Sequence, residues 1–260
     1  MCMVLWANDC HPEYKLVVAA NRDEFYQRPT LPAAFWSDNP QLLAGKDMLH
    51  GGTWMGVTTT GRFSTLTNYR DPSNHNPQAL SRGHLVQKYL EGSPGPVSYM
   101  EKLIDIKEEF NGFNLLAGNL DDLYYFSNLE KRVIKVEKGC HGLSNSLLDV
   151  PWPKVTRGIE ALSTCINNHD IVLEDLFELM ADRHQPPDYE LPQTGVSLEL
   201  ERLLAPAFVV MQDYGTRSTT VILVDRSNYV QFWERSFVPL EPGTWTEVHY
   251  EFQVEVQNDH

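Results

Sequence analysis

Cys2 stands directly behind the first methionine of the chain. An initiator methionine is usually removed when the next residue is small, and its removal would leave a free α-amine beside the thiol. The reference pKa of an α-amine is about 7.7–8.0, so this amine can accept the proton of the thiol near neutral pH. A nucleophile that carries its own base is the arrangement of N-terminal-nucleophile chemistry. The alternative is a buried cysteine that packs as a small hydrophobic residue.

Amide and guanidinium side chains recur where predicted strands end or turn. Asn68 and Asn145 can donate amide N–H groups to an oxyanion. Arg217 follows a glycine turn, where it can support a carboxylate or a thiolate. Asp23 belongs to the run Asn21-Arg22-Asp23-Glu24 behind an apolar stretch. Each has a structural alternative, because asparagine in turns often serves the backbone and a lone arginine often forms a surface ion pair.

The first 24 residues predict a hairpin that gathers some of these groups. Met3–Trp6 and Leu16–Ala20 are apolar runs typical of buried strands, and residues 8–12 supply turn-forming side chains. When two such strands pair, the end of the second lies beside the start of the first. Cys2 is therefore expected to meet Asn21–Asp23 in space.

The rest of the chain is organised as blocks of strands and blocks of helices. Strands are predicted at 53–59, 63–69, 111–117, 124–127, 133–136, 207–211, 218–225, 229–237 and 244–254, and helices at 77–90, 97–110, 153–167, 171–183 and 197–204. No regular βαβ alternation occurs, which disfavours a doubly wound parallel sheet and favours an α+β layered sandwich. No linker or composition break divides residues 1–260, so one domain is expected.

The composition argues against several functional classes. A net charge of −14, from 21 basic and 35 acidic residues, repels phosphate groups, so neither nucleic-acid binding nor docking on anionic membranes is expected. No apolar run approaches the roughly 20 residues of a membrane span, and the sequence opens with no secretory signal pattern. Four cysteines without a CxxC motif predict free thiols in a reducing compartment, the cytoplasm. No metal-ligating spacing is present.

A series of short motifs occurs in order along the chain. They are Met1-Cys2, Ala20–Tyr26 with Arg28-Pro29, Gly51–Gly56, Leu66–Tyr69, Ser81–Gly83, Asn111–Leu115, Gly142–Asn145 with Pro151-Trp152, and Tyr214–Arg217. Together they resemble the NRDE family, also called the transport and Golgi organization 2 family, which takes its name from the tetrapeptide at 21–24. The resemblance runs from residue 1 to about residue 253.

The family is similar to cysteine-type N-terminal-nucleophile hydrolases, which include penicillin V acylase and bile salt hydrolase. This resemblance implies a four-layer αββα sandwich of two mainly antiparallel sheets, in agreement with the order of the predicted elements. Ala20 departs from the pattern of those hydrolases, because they carry an arginine at the corresponding position.

The resemblance also implies a set of site residues. Cys2 would be the nucleophile, Asp23 would orient the α-amine, and Asn68 and Asn145 would stabilise the oxyanion, with Arg217 as the supporting arginine. The substrate-binding residues that it implies are Asn21, Arg22, Trp54, Tyr69 and Arg82.

Two functions follow from the resemblance. The first is hydrolysis of an amide or acyl bond in a small substrate, without a required cofactor. The second is a carrier on the same fold without catalysis, since members of the family have been linked to haem trafficking and to lipid or acyl-CoA homeostasis. For haem as a carried ligand, the possible axial ligands in the sequence are Cys10-His11, His50, His84 and Cys140-His141. The sequence predicts neither the substrate nor the oligomeric state.

Overall fold

The computed structural model describes residues 2–255, with the exception of the side chain of Pro242. Met1, whose removal would free the α-amine of Cys2, lies outside the described residues. The strands are β1 (Cys2–Asn8), β2 (Tyr14–Phe25), β3 (Thr30–Trp36), β4 (Asn39–Asp47), β5 (Met55–Thr58), β6 (Arg62–Asn68), β7 (Phe113–Asn119), β8 (Leu123–Ser127), β9 (Val133–Lys135), β10 (Gly139–Leu143), β11 (Tyr214–Asp225), β12 (Tyr229–Val238) and β13 (Glu241–Gln253). The α-helices are α1 (Gly83–Glu91), α2 (Pro96–Ile106), α3 (Pro153–Ile166), α4 (Leu173–Met180) and α5 (Leu198–Leu204).

The strands form two sheets in which each pair of neighbours is antiparallel. One sheet has the order β10-β1-β2-β11-β12-β13, and the other runs from β3 to β9 in sequence order. Helices α3 and α4 pack on the outer face of the first sheet, and α1 and α2 pack on the outer face of the second. This arrangement confirms the predicted α+β sandwich, because two antiparallel sheets lie between two helical layers.

The alternation of side chains in β1 explains how the layers are held together. Val4 and Trp6 point into the core between the sheets, whereas Met3 and Leu5 point into the core beneath α3 and α4. Successive residues of a strand face opposite sides of the sheet, and both sides are covered here. The runs in β1 and β2 are therefore apolar at nearly every position.

Several sequence predictions of individual elements are wrong. The hairpin of β3 and β4 was not predicted because Pro32 and Pro40 interrupt its pattern; Pro32 lies on an edge strand, between the paired residues Leu31 and Ala34 where the register shifts. The short strand β10 was also missed. The strand predicted at 207–211 is a loop that contains one isolated bridge, and the helix predicted from residue 77 begins at Gly83.

Candidate active site

The β1–β2 hairpin places Cys2 and Arg22 directly opposite each other, with Met3 opposite Asn21. Residues directly opposite in antiparallel strands project from the same face of the sheet. Cys2 and Arg22 therefore share the face that looks toward the second sheet. The predicted pairing of the two strands brings Cys2 next to Arg22, as expected from the sequence.

A cavity of about 230 Å³ lies between the two sheets at this end of the hairpin. Its wall includes six of the residues that the sequence predicted for the site: Cys2, Arg22, Asp23, Trp54, Asn68 and Arg82. It also includes Glu24, Arg28, Asp47, His50, His75 and Asn111, for which the sequence gave no role in this site.

The Cys2 thiol is the nucleophilic group of this cavity. Its side chain is partly exposed, and burial of the thiol raises its pKa. The nearby guanidinium of Arg22 opposes this shift because a positive charge favours the thiolate. The geometry therefore holds a largely neutral thiol beside a fixed cation, and the thiol needs a base to become a nucleophile.

Asp23 is a buried carboxylate at the end of β2, with only 2% of its surface exposed. The hydroxyl of Thr216 on β11 donates a 2.7 Å hydrogen bond to its Oδ1. Burial raises the pKa of Asp23, and the charges of Lys154 and Arg70 oppose that shift. The carboxylate is thus fixed by the neighbouring strand and by cations from the helical side.

A network of buried charges behind Asp23 was not predicted from the sequence. Lys154 lies in the first turn of α3, and its Nζ donates to the carbonyl oxygens of Leu204 and Pro206. Burial lowers the pKa of Lys154 to about 8, although the charge of Asp23 opposes this change. Nothing in the sequence separates this lysine from a surface residue of an amphipathic helix.

The same network contains an ion pair between Arg70 and Glu201. The Nη1 atom of Arg70 donates to Oε2 of Glu201 over 2.7 Å, and the side chains of both residues are less than one tenth exposed. Oε1 of Glu201 accepts hydrogen bonds from the backbone and the hydroxyl of Thr194. Helix α5, which carries Glu201, is thereby tied to the segment after β6.

The two predicted oxyanion donors are neighbours. Asn68 is the last residue of β6 and lines the cavity, and its carbonyl oxygen accepts a 2.9 Å hydrogen bond from Nδ2 of Asn145. Asn145 is almost fully buried in the segment after β10, and its own carbonyl oxygen accepts from the backbone of Arg70. The structure therefore brings Asn145 to the edge of the cavity without making it part of the wall that Cys2 shares.

Arg22 lies against the indole of Trp54, with its guanidinium carbon 4.1 Å from the ring centroid. Trp54 in turn packs on Gly45, where a Cβ atom would lie only 2.3 Å from the indole ring. The absence of a side chain at Gly45 thus allows Trp54 to lie flat enough to support Arg22. Both residues line the cavity.

Arg82 reaches the cavity because two backbone segments approach each other closely. A Cβ atom at Gly52 would lie 2.6 Å from the carbonyl carbon of Gly83, the first residue of α1. The Nη1 atom of Arg82 donates to the carbonyl oxygen of Gly112 over 3.0 Å. Arg82 also lines an adjacent cavity of about 420 Å³, so it stands between the two.

Three further predicted site residues, besides Asn145, do not line the Cys2 cavity. Asn21 points to the helical face, where its Nδ2 donates to the carbonyl oxygens of Met180 and Ala207, because it is one residue out of phase with Arg22. Tyr69 lines only the adjacent cavity. Arg217 is the extra residue of a bulge opposite β2, and its Nη1 binds the carbonyl oxygens of Phe25 and Arg28. The structure therefore does not place Arg217 in the wall that Cys2 shares, and Arg217 lines a neighbouring cavity with Arg22 and Trp54.

The cavity wall also contains a closed ion-pair cluster. Arg28 donates from Nε and Nη2 to the two carboxylate oxygens of Asp47, over 3.2 and 2.6 Å, and lies 3.7 Å from Glu24. The Arg28-Pro29 motif was noted in the sequence, but its partner Asp47 belongs to β4, which was not predicted. The cluster fastens the end of β2 to the second sheet.

The candidate haem ligands are distributed over several surfaces. The ring nitrogens of His11 contact the carbonyl oxygen of Asn168 and two backbone N–H groups, and those of His141 contact Asp149 and the carbonyl oxygen of Glu137. His50 is the one of the four predicted histidines that lines the Cys2 cavity. Within residues 2–255, no three His, Cys, Asp or Glu side chains are grouped to hold a metal ion.

Solved structures with the same arrangement identify the fold class. A single-residue variant of the conjugated bile acid hydrolase from Clostridium perfringens aligns with a TM-score of 0.53 at 10% identity. A cysteine-to-alanine mutant of the same hydrolase aligns with a TM-score of 0.50 at 8% identity. Each comparison covers 100% of this chain and 99% of the other. The protein therefore has the fold of the N-terminal-nucleophile hydrolases.

The sequence comparisons then give the family. Residues 1–239 match the family model described as Transport and Golgi organisation 2. The chain is 36% identical to the Bos taurus and 35% identical to the Homo sapiens transport and Golgi organization protein 2 homolog, over 98% of this chain and 100% of each relative. The transport and Golgi organization protein 2 of Drosophila melanogaster is 28% identical over 96% of this chain and 98% of its own length. The chain belongs to the transport and Golgi organization 2 family.

None of the helices within residues 2–255 combines the length and the apolar character that a membrane crossing requires.

Proposed function

We propose that this protein hydrolyses an amide or acyl bond of a small substrate, with Cys2 as an N-terminal nucleophile. The observation that carries the proposal is the position of Cys2, whose thiol meets a cavity of about 230 Å³ at the start of a central strand, opposite Arg22 and beside Asp23. The fold shared with a conjugated bile acid hydrolase supports it.

The reaction begins after removal of Met1. The sulfur of Cys2 attacks the carbonyl carbon of the substrate while the α-amine of the same residue takes the thiol proton. The electron pair of the carbonyl bond moves to oxygen, where Asn68 and Asn145 stabilise the negative charge. One such donor typically contributes about 3–4 kcal/mol. Asn68 lines the cavity, whereas Asn145 lies at its edge with one amide N–H engaged with the Asn68 carbonyl oxygen. We assign the second N–H of Asn145 to the oxyanion.

The tetrahedral intermediate then collapses. The bond between the carbonyl carbon and the leaving nitrogen breaks, the α-ammonium gives its proton to the leaving amine, and the acyl group stays on sulfur as a thioester. A water molecule attacks the thioester, the carboxylic acid is released and the Cys2 thiol is restored. Asp23 holds the α-amine in place throughout, because a fixed carboxylate favours the ammonium form that the first step creates.

The proposal is tested by measuring acyl release from a panel of amides with wild type and three variants. Cys2→Ala should abolish release, and Cys2→Ser should reduce it strongly because a hydroxyl ionises far less readily than a thiol. A variant with an uncleavable N-terminal extension should also be inactive, because its residue-2 nitrogen is a non-basic amide. Cys10→Ala is the matched control, since Cys10 is an exposed thiol outside the cavity, and it should keep full activity.

The carrier function predicted from the resemblance gives a different result. A haem or acyl-lipid carrier would bind its ligand equally well as wild type, as Cys2→Ala and with a blocked N-terminus, and it would release no acyl group. Undiminished hydrolysis by the blocked protein would contradict the N-terminal-nucleophile mechanism.

A further inference from the structure

The wall of the Cys2 cavity contains three arginines and three acidic residues, but they are not paired one to one. Glu24 and Asp47 both form ion pairs with Arg28. Asp23 accepts from Thr216 and lies close to the cations Lys154 and Arg70. The charge of Asp47 acts on Arg22 and that of Glu24 on Arg82, but among residues 2–255 neither arginine forms an ion pair with them.

Arg22 is the more deeply placed of the two remaining cations. Its side chain is 5% exposed, and its Nη1 atom is buried without a hydrogen-bond partner among residues 2–255. Its contact with the Trp54 ring orients the guanidinium but satisfies none of its N–H groups in the plane. The charge of the buried Glu234 acts on Arg22 from a neighbouring cavity, but it does not supply the acceptor that Nη1 lacks. A buried guanidinium N–H without an acceptor is costly, so this position is suited to a ligand that supplies one.

Arg82 presents a second guanidinium at the junction of the two cavities. Its only hydrogen bond among the described residues goes from Nη1 to the carbonyl oxygen of Gly112. Burial lowers the pKa of Arg82, which reflects its place in a poorly solvated wall, and the charge of Glu24 opposes this change. The wall of the cavity holds as many arginines as carboxylates, whereas the whole chain has a net charge of −14.

The wall of the cavity also carries apolar side chains. Leu66, Pro77, Ala79 and Leu80 line it, and Leu80 is 52% exposed. Apolar side chains beside polar groups in one cavity are typical of a site for an amphiphilic ligand.

We propose that the substrate is an N-acyl amino acid, whose carboxylate is held by Arg22 and Arg82 and whose acyl chain lies on the apolar side chains of the wall. This inference rests on the proposed function, because it places the amide bond of that ligand at Cys2. The planar guanidinium recognises a carboxylate through paired hydrogen bonds, and this supplies the acceptor that Arg22 lacks.

The test compares two ligands that differ only in charge. N-dodecanoylglycine and its neutral amide, N-dodecanoylglycinamide, are titrated below their aggregation concentrations into the Cys2→Ala protein, which cannot turn them over. We expect the acid to bind about 10- to 100-fold more tightly than the amide, the range for one charged hydrogen bond. This preference should shrink as salt is added. Equal affinity for the two ligands would overturn the inference.

Variants of the two arginines identify which side chains bind the carboxylate of the ligand. Arg22→Gln and Arg82→Gln, each in the Cys2→Ala protein, should each lose most of the preference for the acid, whereas Arg22→Lys should keep part of it. Arg132→Gln is the matched control, because Arg132 is an exposed surface arginine outside both cavities and the charge change is the same. Circular dichroism checks that each variant is folded. If a variant is not folded, the comparison of the two ligands in the Cys2→Ala protein alone decides whether the carboxylate is recognised. An unchanged preference in both glutamine variants would overturn the assignment.

Turnover by the protein with Cys2 intact separates this inference from the proposed function. Arginine-dependent binding of the acid without any release of glycine would contradict the hydrolase and leave the carboxylate site standing. Hydrolysis of the acid and the neutral amide at equal rates, unaffected by either arginine variant, would support Cys2 chemistry and overturn the carboxylate site.

Discussion

Asp23 is the residue that holds the α-amine, which is the base of the proposed reaction. It is buried at the end of β2, bonded to Thr216, and next to the strand position opposite Cys2. Its charge is useful only while it is ionised, and burial raises its pKa. Acid therefore protonates it at a higher pH than it protonates an exposed aspartate.

Asp23→Asn should preserve the hydrogen bond from Thr216 but remove the charge that holds the α-ammonium. We expect acyl release to fall by about 100-fold or more, the usual range for loss of acid–base assistance, with little change in the folded state. The step of the wild-type pH–rate profile that belongs to Asp23 should lie above the pKa of a free aspartate, and it should be missing from any residual activity of the variant. The loss of activity that follows protonation of the α-amine should remain in both proteins. Asp188→Asn, a substitution on the exposed surface, is the control and should leave both the rate and the profile unchanged. A variant rate within about twofold of wild type would remove Asp23 from the mechanism.

At the scale of elements, helix α3 carries a lysine where a helix disfavours one. Lys154 follows Pro153 in the first turn, and a positive charge near a helix N-terminus is unfavourable. Its Nζ is stabilised instead by the carbonyl oxygens of Leu204 and Pro206 at the end of α5. This lysine therefore joins α3 to α5 behind the candidate active site.

The lowered pKa of Lys154 predicts a pH dependence of stability. Its pKa falls from 10.5 to about 8 on folding, so the unfolded chain binds more protons than the folded protein between these values. The free energy of unfolding should therefore rise with pH across this window, by about 3 kcal/mol in total from this group. Lys154→Met should lack this rise, which urea unfolding at pH 7.5, 8.5 and 9.5 measures for both proteins. Parallel pH dependences of the two proteins would contradict the assignment.

The approach of Gly52 to Gly83 positions the start of α1 and with it Arg82. Gly52→Ala adds a methyl group 2.6 Å from the Gly83 carbonyl carbon, so the backbone must move. We expect a loss of about 1–3 kcal/mol in unfolding free energy and a further loss of activity through displacement of Arg82. Gly243→Ala is the matched control, because a Cβ there meets nothing within 4 Å, and it should change stability by less than about 0.5 kcal/mol. An unaltered melting temperature in Gly52→Ala would contradict this prediction, because it would mean that the backbone at Gly52 and Gly83 moves apart at little cost in stability.

The elements also show where the sequence was sufficient and where it failed. The β1–β2 hairpin was predictable because two apolar runs flank strong turn residues, and its pairing follows from that pattern alone. The direction of Arg217 was not predictable, because a bulge between Thr216 and Ser218 changes which way the strand presents it. Asp47 was missed with β4, and the partners of Lys154 come from a segment 50 and 52 positions later, a proximity that no local pattern encodes.

At the scale of the whole molecule, the two sheets bring distant segments to one cavity. Cys2 and Arg22 come from one sheet, and Trp54 and Asn68 come from the other sheet and its connections. The layered architecture was predictable because the family resemblance and the order of elements agreed. The cavity itself was not, because it depends on how the two sheets face each other across side chains from both.

The central claim is that Cys2 is an N-terminal nucleophile, and intact mass spectrometry tests it most directly. The purified protein is weighed before and after brief exposure to a substoichiometric electrophilic thiol probe, and the labelled site is mapped among Cys2, Cys10, Cys140 and Cys165. The account predicts a mass without Met1 and one label on Cys2, with little on the more exposed Cys10. A mass that retains Met1 in every molecule, or labelling that follows exposure and falls on Cys10, would contradict it.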